Sequence, residues 1–306
     1  MKKNEILFYK YFENWISIYK KGSIRNITYL KYKLTLDWLI KLVPNLRVCD
    51  IDRITYQKIL NDYAVYHEKQ TTLDFHHHLK SCILDAFDDG LILVNPTRKA
   101  VIKGKFPREK KTKFLSQFEL QLLLKELKLE DKLNFDWLIF LVAKTGMRFS
   151  EALGITPKDF DFTRQTLSVN KTWDYKENTG FALTKNKTSN RKIQLDWLTS
   201  SKFAFLIKDL EIDKPIFVFK ERIFNSTIND RLERCCKKAN IPVISIHGLR
   251  HTHASILLYA GVSIASVAKR LGHASMNTTE KIYLHIINEL ENKDIDLVMR
   301  SISNLF

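Results

Sequence analysis

The first hundred residues carry apolar side chains at three- and four-residue intervals, which is the spacing of amphipathic helices. Residues 5–20 and 28–43 both show this pattern. Two more helices are predicted downstream, and the second runs from about Thr72 to a stop at Gly90, because glycine commonly ends a helix. The pattern therefore predicts a helical domain over residues 1–104.

A second domain is predicted over residues 114–306, where Ser116 and Glu119 open a helix at the spacing of a capping box. Helical spacing later gives way to short runs rich in β-prone side chains, at residues 166–173, 180–184 and 191–195. The last two runs flank the polar sequence KNKTSN and are predicted to pair as a hairpin. Helical spacing returns from about residue 227, so the predicted fold class is mainly α with a small antiparallel β-sheet.

The region between the two domains is strongly basic. Residues 98–113 contain eight Lys or Arg residues and one Glu, and residues 105–113 are predicted to form an extended linker. A solvated tether and a segment lying along DNA phosphates fit this composition equally well. The residues expected to bind DNA here are Lys103, Lys105, Arg108, Lys110, Lys111 and Lys113.

The whole chain of 306 residues is also basic, with 50 Lys and Arg against 34 Asp and Glu and a formal charge of +16. This charge favours a polyanionic partner, above all nucleic acid, although a generally basic protein would carry it too. The four cysteines have no metal-binding or disulfide spacing, which favours a reducing cytoplasm. No apolar run approaches the roughly 20 residues of a membrane-spanning helix, so a cytoplasmic protein without a membrane partner is expected.

Three motifs follow one another in the second domain: TGMRFSEALGI at 145–155, HGLRHTHAS at 247–255 and LGHASMNTTEKIY at 271–283. Each motif alone arises often by chance. The three in this order, with lysines in the turn between the first two, resemble the tyrosine recombinase, or phage integrase, family of phages and mobile elements. The resemblance implies a helical core-binding domain and a catalytic domain that together form a clamp on duplex DNA.

Breaking a phosphodiester requires a nucleophile, stabilisation of the charge on the non-bridging oxygens, and a proton for the leaving oxygen. Tyr283 is the candidate nucleophile, in a helix predicted to start at Asn277, and its phenol needs cationic neighbours because its ordinary pKa is about 10. Arg148 and Arg250 keep their charge at every relevant pH and can each give two hydrogen bonds to a phosphate. These two arginines are the candidate phosphate clamp.

The remaining motif residues take their roles from the resemblance. His247 precedes Arg250 by three residues, hence on the same helix face, and matches the family's HxxR pattern. His273 corresponds to a histidine that donates a hydrogen bond to the same phosphate. Glu151 corresponds to an acid that braces the site from behind. His251 and His253 are expected to be packing or surface groups.

The proton donor has two candidates. The resemblance places a lysine in the turn of a β-hairpin, and the turn here offers Lys185 and Lys187, with Lys192 just beyond it. Lys185 is the predicted donor because it begins the family's KxKxxxR pattern, which Arg191 completes. A turn one residue longer or shorter would give the role to Lys187.

The implied reaction is a transesterification in which Tyr283 takes a 3′ phosphate and releases a 5′ hydroxyl, without a metal, nucleotide or other cofactor. The family acts as a homo-tetramer on paired DNA sites, in some cases with accessory excision or DNA-bending factors, and residues 284–306 resemble the tail that reaches a neighbouring subunit. A separate arm-binding domain is not expected. Two alternatives stay open: a type IB topoisomerase, which uses a similar residue set, and a DNA-binding regulator that leaves no covalent adduct.

Overall fold

The computed structural model describes residues 6–106, 114–184, 186–219, 222–277 and 279–280. The chain divides into two compact units between Lys110 and Lys111, inside the basic segment predicted as a linker. Within the described ranges, no helix combines the length and the apolar character that crossing a bilayer demands.

In its described part, the first unit contains four helices: α1 (Phe8–Tyr19), α2 (Asn26–Leu42), α3 (Arg53–Ala64) and α4 (Lys69–Asp88). Their apolar faces meet in one core that includes Phe12, Leu39, Tyr56 and Leu79, none of which is exposed. Helix α4 ends just before Gly90, whose φ of +71° is a left-handed conformation that glycine adopts without strain. The predicted helical pattern and this stop are confirmed.

The segment after α4 returns to the start of that helix. The backbone N–H of Lys105 donates to the carbonyl of His67 at 2.8 Å. At Gly104 the two segments approach so closely that a β-carbon would lie 2.1 Å from the backbone nitrogen of Lys69, so only glycine fits. The contact fixes the backbone here and leaves the side chains of Lys103 and Lys105 exposed.

The described part of the second unit contains seven helices: α5 (Gln117–Lys125), α6 (Phe135–Thr145), α7 (Phe149–Leu153), α8 (Trp197–Ile207), α9 (Asn225–Lys238), α10 (Ile246–Tyr259) and α11 (Ile264–Leu271). Helix α6 lies at the centre, because its residues from Trp137 to Ala143 are buried on every side, and α10 packs along it. The predicted capping box is confirmed, since Ser116 Oγ accepts from the Glu119 N–H and the Glu119 carboxylate accepts from the Ser116 N–H. Helix α8 has no counterpart among the predicted elements.

Among the residues that the structure describes, five short strands form two antiparallel sheets: β1 (Phe160–Asp161), β2 (Thr166–Val169), β3 (Lys171–Asp174), β4 (Gly180–Leu183) and β5 (Arg191–Gln194). The first sheet has the order β1-β2-β5, with Leu167 opposite Ile193. The second sheet is the hairpin β3–β4, with Trp173 opposite Phe181. The small antiparallel component of the predicted fold class is therefore confirmed.

The predicted pairing of residues 180–184 with residues 191–195 is wrong. Strand β4 pairs with β3, and β5 pairs with β2, because the run predicted as a single strand changes partners at Asn170. Burial explains this choice, since Leu167 and Ile193 face each other inside the core and only the β2–β5 pairing covers both. The sequence KNKTSN thus connects two sheets and is not the turn of a hairpin.

Candidate active site

Arg148 and Glu151 lie together at the start of α7. The carboxylate of Glu151 accepts hydrogen bonds from the backbone N–H of Arg148 at 2.9 Å and from its Nη1 at 2.6 Å. The Glu151 side chain is 1% exposed, whereas that of Arg148 is 26% exposed. The acid therefore holds the arginine from the buried side and leaves part of the guanidinium accessible.

Arg191, the first residue of β5, forms a second buried ion pair with Glu151. Its Nη2 lies 3.0 Å from the Glu151 carboxylate, and its side chain is 5% exposed. Burial acts to raise the pKa of Glu151, but the positive charges and hydrogen bonds of Arg191 and Arg148 together hold that pKa below its ordinary value. Glu151 is therefore ionised at neutral pH and joins α7 to β5.

Three consecutive carbonyl groups at the end of α11 each accept a hydrogen bond from a different arginine. These carbonyls have no partner within the helix and carry partial negative charge. The pairs are Arg191 Nε with Arg270 O at 2.6 Å, Arg250 Nη2 with Leu271 O at 2.8 Å, and Arg148 Nη2 with Gly272 O at 3.4 Å. The end of α11 thus gathers side chains from β5, α10 and α7 at one place.

Arg250 is the most buried of these arginines, at 3% exposure. Besides the α11 carbonyl, it donates through Nη1 to the carbonyl of Gly146 at 2.8 Å. Gly146 has a φ of +66°, and a β-carbon there would lie 2.7 Å from the ring of His253. The glycine that ends α6 therefore keeps its carbonyl within reach of Arg250 and avoids a clash with α10.

His247 and His273 are electrostatically coupled to both motif arginines. Loss of hydration lowers the pKa of His247, and the charges of Arg250 and Arg148 lower it further. The same causes, in the same order, lower the pKa of His273 to about 4. The geometry agrees with this electrostatic effect, because His247 lies one turn before Arg250 in α10 and His273 directly follows Gly272, whose carbonyl accepts from Arg148.

The other two histidines of the second motif differ from each other. His253 is buried, its Nδ1 donates to the carbonyl of Ala143 at 3.0 Å, and its Nε2 accepts from Arg270 Nε at 2.9 Å. Burial lowers its pKa to about 3, so it is a neutral packing group, in agreement with the prediction. His251 lies next to His247, with their ring centres 4.9 Å apart.

The segment that carries the candidate proton donors is tied at both ends. The hydroxyl of Thr184 donates to Asn190 Oδ1 at 2.8 Å, which closes the connection between β4 and β5. The backbone of Lys187 lies in a 3₁₀ turn over Lys187–Ser189, and Lys192 is exposed on β5. Lys185 lies outside the described residues.

Several other predicted site residues also fall outside the described ranges. They are the candidate nucleophile Tyr283 and the linker residues Arg108, Lys110, Lys111 and Lys113. Among the residues that are described, Arg148, Glu151, His247, Arg250 and His273 come together, as shown above. Lys103 and Lys105 belong to the first unit.

Sequence reasoning missed two residues of the site. Arg191 was used only to complete a lysine pattern, yet it is buried against both Glu151 and α11. Thr279 was given no role, yet its hydroxyl lies 2.7 Å from Nδ1 of His273. A charged residue at the start of a β-prone run gives a weak signal for Arg191, and no sequence signal was available for Thr279.

The arrangement is suited to binding a phosphate and stabilising added negative charge. Arg148 and Arg250 supply permanent positive charge, and the two histidines supply further hydrogen-bonding nitrogens. The cluster lies in the second unit, which is mainly helical with small sheets and follows a helical first unit. Fold and site together define the class of the tyrosine site-specific recombinases.

Comparison with known proteins identifies the family. Residues 113–289, more than half of the chain, match the phage integrase family. The chain belongs to the phage integrase family. It is 32% identical to the integrase of Staphylococcus phage L54a, over 49% of this chain and about half of that relative (48%). It is 26% identical to a tyrosine recombinase of Thermosipho africanus, over 90% of each chain.

Solved structures with the same fold include two integrases bound to DNA. The Tn1549 transposon integrase in complex with a circular intermediate DNA has a TM-score of 0.76 at 19% identity, over 90% of this chain and 94% of that chain. A lambda integrase tetramer bound to a Holliday junction has a TM-score of 0.68 at 16% identity, over 90% of this chain and 79% of that chain. At these identities the likeness establishes the fold.

The buried acid gives a test of how the site is held together. Glu151→Gln is expected to destabilise the second unit by about 3–5 kcal/mol at pH 7, because Arg191 loses its counter-charge in the interior. The folded pKa of Glu151 lies below its ordinary value of 4.5, so this stabilisation is complete above pH 4.5 and is lost as pH falls through the folded pKa. Urea unfolding of both proteins at pH 7 and in increasingly acidic buffer measures the difference, which should shrink with acidity.

Glu211→Gln is the matched control. Glu211 pairs with Lys214 at 2.6 Å, but both side chains are 71% exposed, so its loss should cost less than about 1 kcal/mol. An equal effect of the two substitutions at pH 7 would show that the Glu151 network does not stabilise the unit.

Proposed function

We propose that the protein cuts and rejoins duplex DNA at specific sites so that a phage or another mobile element enters or leaves a host DNA molecule. The single observation that carries this proposal is that Arg148 and Arg250 both bind the end of α11, directly before His273, with Glu151 bound to Arg148 on its buried side. Such a cluster matches the charge that develops on a phosphate during strand transfer.

In the proposed reaction, the phenolic oxygen of Tyr283 attacks the phosphorus and forms a 3′-phosphotyrosyl bond. The bond from phosphorus to the 5′ oxygen breaks, and Lys185 gives that oxygen a proton to leave a 5′ hydroxyl. Arg148 and Arg250 neutralise the non-bridging oxygens, while His247 and His273 donate hydrogen bonds to them. The second half of the reaction reverses these steps with the 5′ hydroxyl of a partner strand, so no external energy source is needed.

The proposed DNA partner also fits the first unit. A groove of about 550 Å³ runs between α3 and the segment after α4. Its lining includes five basic side chains: Arg53, Lys58, Arg98, Lys99 and Lys103. Such a groove attracts a phosphate backbone, and the linker residues Lys105 to Lys113 extend the same charge. We infer that both units contact one duplex.

The proposed assembly is a homo-tetramer on two DNA sites, as the lambda integrase forms on a Holliday junction. Strand exchange needs four cleavages, one in each strand of two duplexes, and each subunit carries one candidate nucleophile. An accessory excision or DNA-bending factor is a further partner consistent with this scheme.

The direct test is covalent trapping on a nicked suicide substrate containing the element's end sequence. The expected result is a protein–DNA adduct that peptide mapping assigns to Tyr283. Its yield and rate should not change in excess EDTA, because permanent cations of the protein do the work that metal ions do in many nucleases. A cleavage step that stops with EDTA and resumes with Mg²⁺ would contradict the proposal.

The proton donor can be identified by chemistry. Lys185→Ala is expected to slow cleavage of ordinary DNA by about 10²- to 10⁴-fold, since the departing oxygen loses its acid. A substrate with a 5′-bridging sulfur needs no proton on its leaving group, so it should restore cleavage to this variant. Rates are measured as adduct formation on both substrates.

Arg148→Ala and Lys187→Ala are the controls for this experiment. Arg148→Ala lacks charge stabilisation and should stay slow on the sulfur substrate. Rescue of Lys187→Ala, together with wild-type behaviour of Lys185→Ala on ordinary DNA, would assign the proton transfer to Lys187.

A further inference from the structure

His273 makes one side-chain hydrogen bond in the described part of the chain. Its Nδ1 lies 2.7 Å from Oγ1 of Thr279, a residue with no exposed surface. The opposite ring nitrogen, Nε2, has no hydrogen-bond partner among the described residues. His273 is half-buried and lines a cavity of about 790 Å³ that it shares with Arg191. Within the described ranges, one ring nitrogen thus has a protein partner and the other has none.

The neutral form of a histidine carries a proton on only one of its two nitrogens. His273 is neutral in the free protein, because burial and the charges of Arg250, Arg148, Arg191 and His251 lower its pKa to about 4. A neutral ring donates to a phosphate oxygen only if the available nitrogen, Nε2, carries the proton. If Nδ1 carried it, the lone pair of Nε2 would face the phosphate and repel it.

The partner of Nδ1 therefore decides what Nε2 can do. A carbonyl oxygen can only accept, so it forces the proton onto Nδ1. His253 shows this case in the same protein, since its Nδ1 donates to the Ala143 carbonyl and its Nε2 accepts from Arg270. The partner of His273 is a hydroxyl, which can donate. A hydroxyl at this position allows the proton distribution opposite to that of His253.

We propose that Thr279 is a positioning residue for strand cleavage: its hydroxyl donates to Nδ1 of His273 and thereby keeps the proton on Nε2, directed at the scissile phosphate. This catalytic role rests on the proposed function, whereas the hydrogen bond itself is present in the free protein. Thr279 acts only through His273 and does not touch the substrate.

The proton position is measured directly by nitrogen NMR of the full-length, DNA-free protein labelled with ¹⁵N-histidine. Protonated and unprotonated ring nitrogens have well-separated shifts, and the His273 signals are those that disappear in His273→Gln. The expected result is a proton on Nε2 in the wild type and loss of that single state in Thr279→Val. A proton on Nδ1 in the wild type would overturn the proposal.

Cleavage rates provide the second arm. Thr279→Val keeps the side-chain shape and removes the hydroxyl, so cleavage should fall about 10- to 100-fold, the loss typical when the group that orients a metal-binding histidine is removed. Thr279→Ser keeps the hydroxyl and should cleave at close to the wild-type rate. DNA binding should be unchanged in both variants.

A double mutant separates positioning from a general packing effect. If Thr279 acts through His273, Thr279→Val should cause no further loss in a His273→Ala background. An equal loss in both backgrounds would show a packing role and overturn the proposal. If the wild type itself forms no adduct, the proposed function fails, and the NMR measurement still decides the state of His273.

Discussion

Tyr283→Phe should form no covalent adduct with DNA while binding its site almost as tightly as the wild type. The substitution removes only the phenolic oxygen, which is the atom that bonds to phosphorus in the proposed reaction, and no other group can replace it. Denaturing gels of the suicide-substrate reaction measure the adduct, and a gel-shift titration measures binding.

Tyr259→Phe is the matched control, because Tyr259 is the last residue of α10 and lies in the same unit. This variant should form adduct at the wild-type rate. An adduct that persists in Tyr283→Phe but disappears in Tyr259→Phe would move the nucleophile to α10.

Arg148→Ala should slow cleavage by about 10²-fold or more, the usual loss when a preorganised donor to developing charge is removed. The partly exposed guanidinium of Arg148 makes it the clearer test of the phosphate clamp. Arg250→Ala should slow cleavage at least as much, but it also removes the donor to the carbonyls of Gly146 and Leu271. Its effect on folding must therefore be measured beside its effect on rate.

Single-turnover cleavage with saturating protein measures the chemical step for both arginine variants. Arg164→Ala is the control, since Arg164 is 76% exposed and its contact with Asp161 is long, at 4.0 Å. Near-normal cleavage by Arg148→Ala on bound substrate would remove Arg148 from the clamp.

Helices with a clear start and stop could be predicted from sequence. Gly90, Gly146 and Gly272 all end helices at positive φ, and the Ser116 capping box has the expected geometry. These signals are local, because they arise from the conformation of one residue or from a contact three residues away. Helix α8 also carries one, the cap formed by Asp196 on Thr199, but its apolar residues lack a clear one-sided spacing.

Strand pairing and the support of the site could not be predicted in the same way. The choice of β2 as the partner of β5 depends on which residues reach the core of the whole unit, a property that no short window of sequence contains. Likewise, Arg191 meets the carbonyl of Arg270 through a tertiary contact, and the contact of Thr279 with His273 depends on how the chain turns after α11. The motif residues themselves were found because three short motifs resemble those of the tyrosine recombinase family, and the chemistry of phosphate transfer agrees with their residue types.

The three arginines that hold the end of α11 bind that end through its backbone carbonyls and not through its side chains. Every amino acid provides a carbonyl at the same place in a helix, so these bonds persist when the residues of α11 are exchanged. Gly272 is the exception, because its positive φ and the nearby Arg191 leave little tolerance for a side chain. Natural or laboratory selection can therefore vary the outward-facing side chains of this helix while the geometry of the candidate site stays the same.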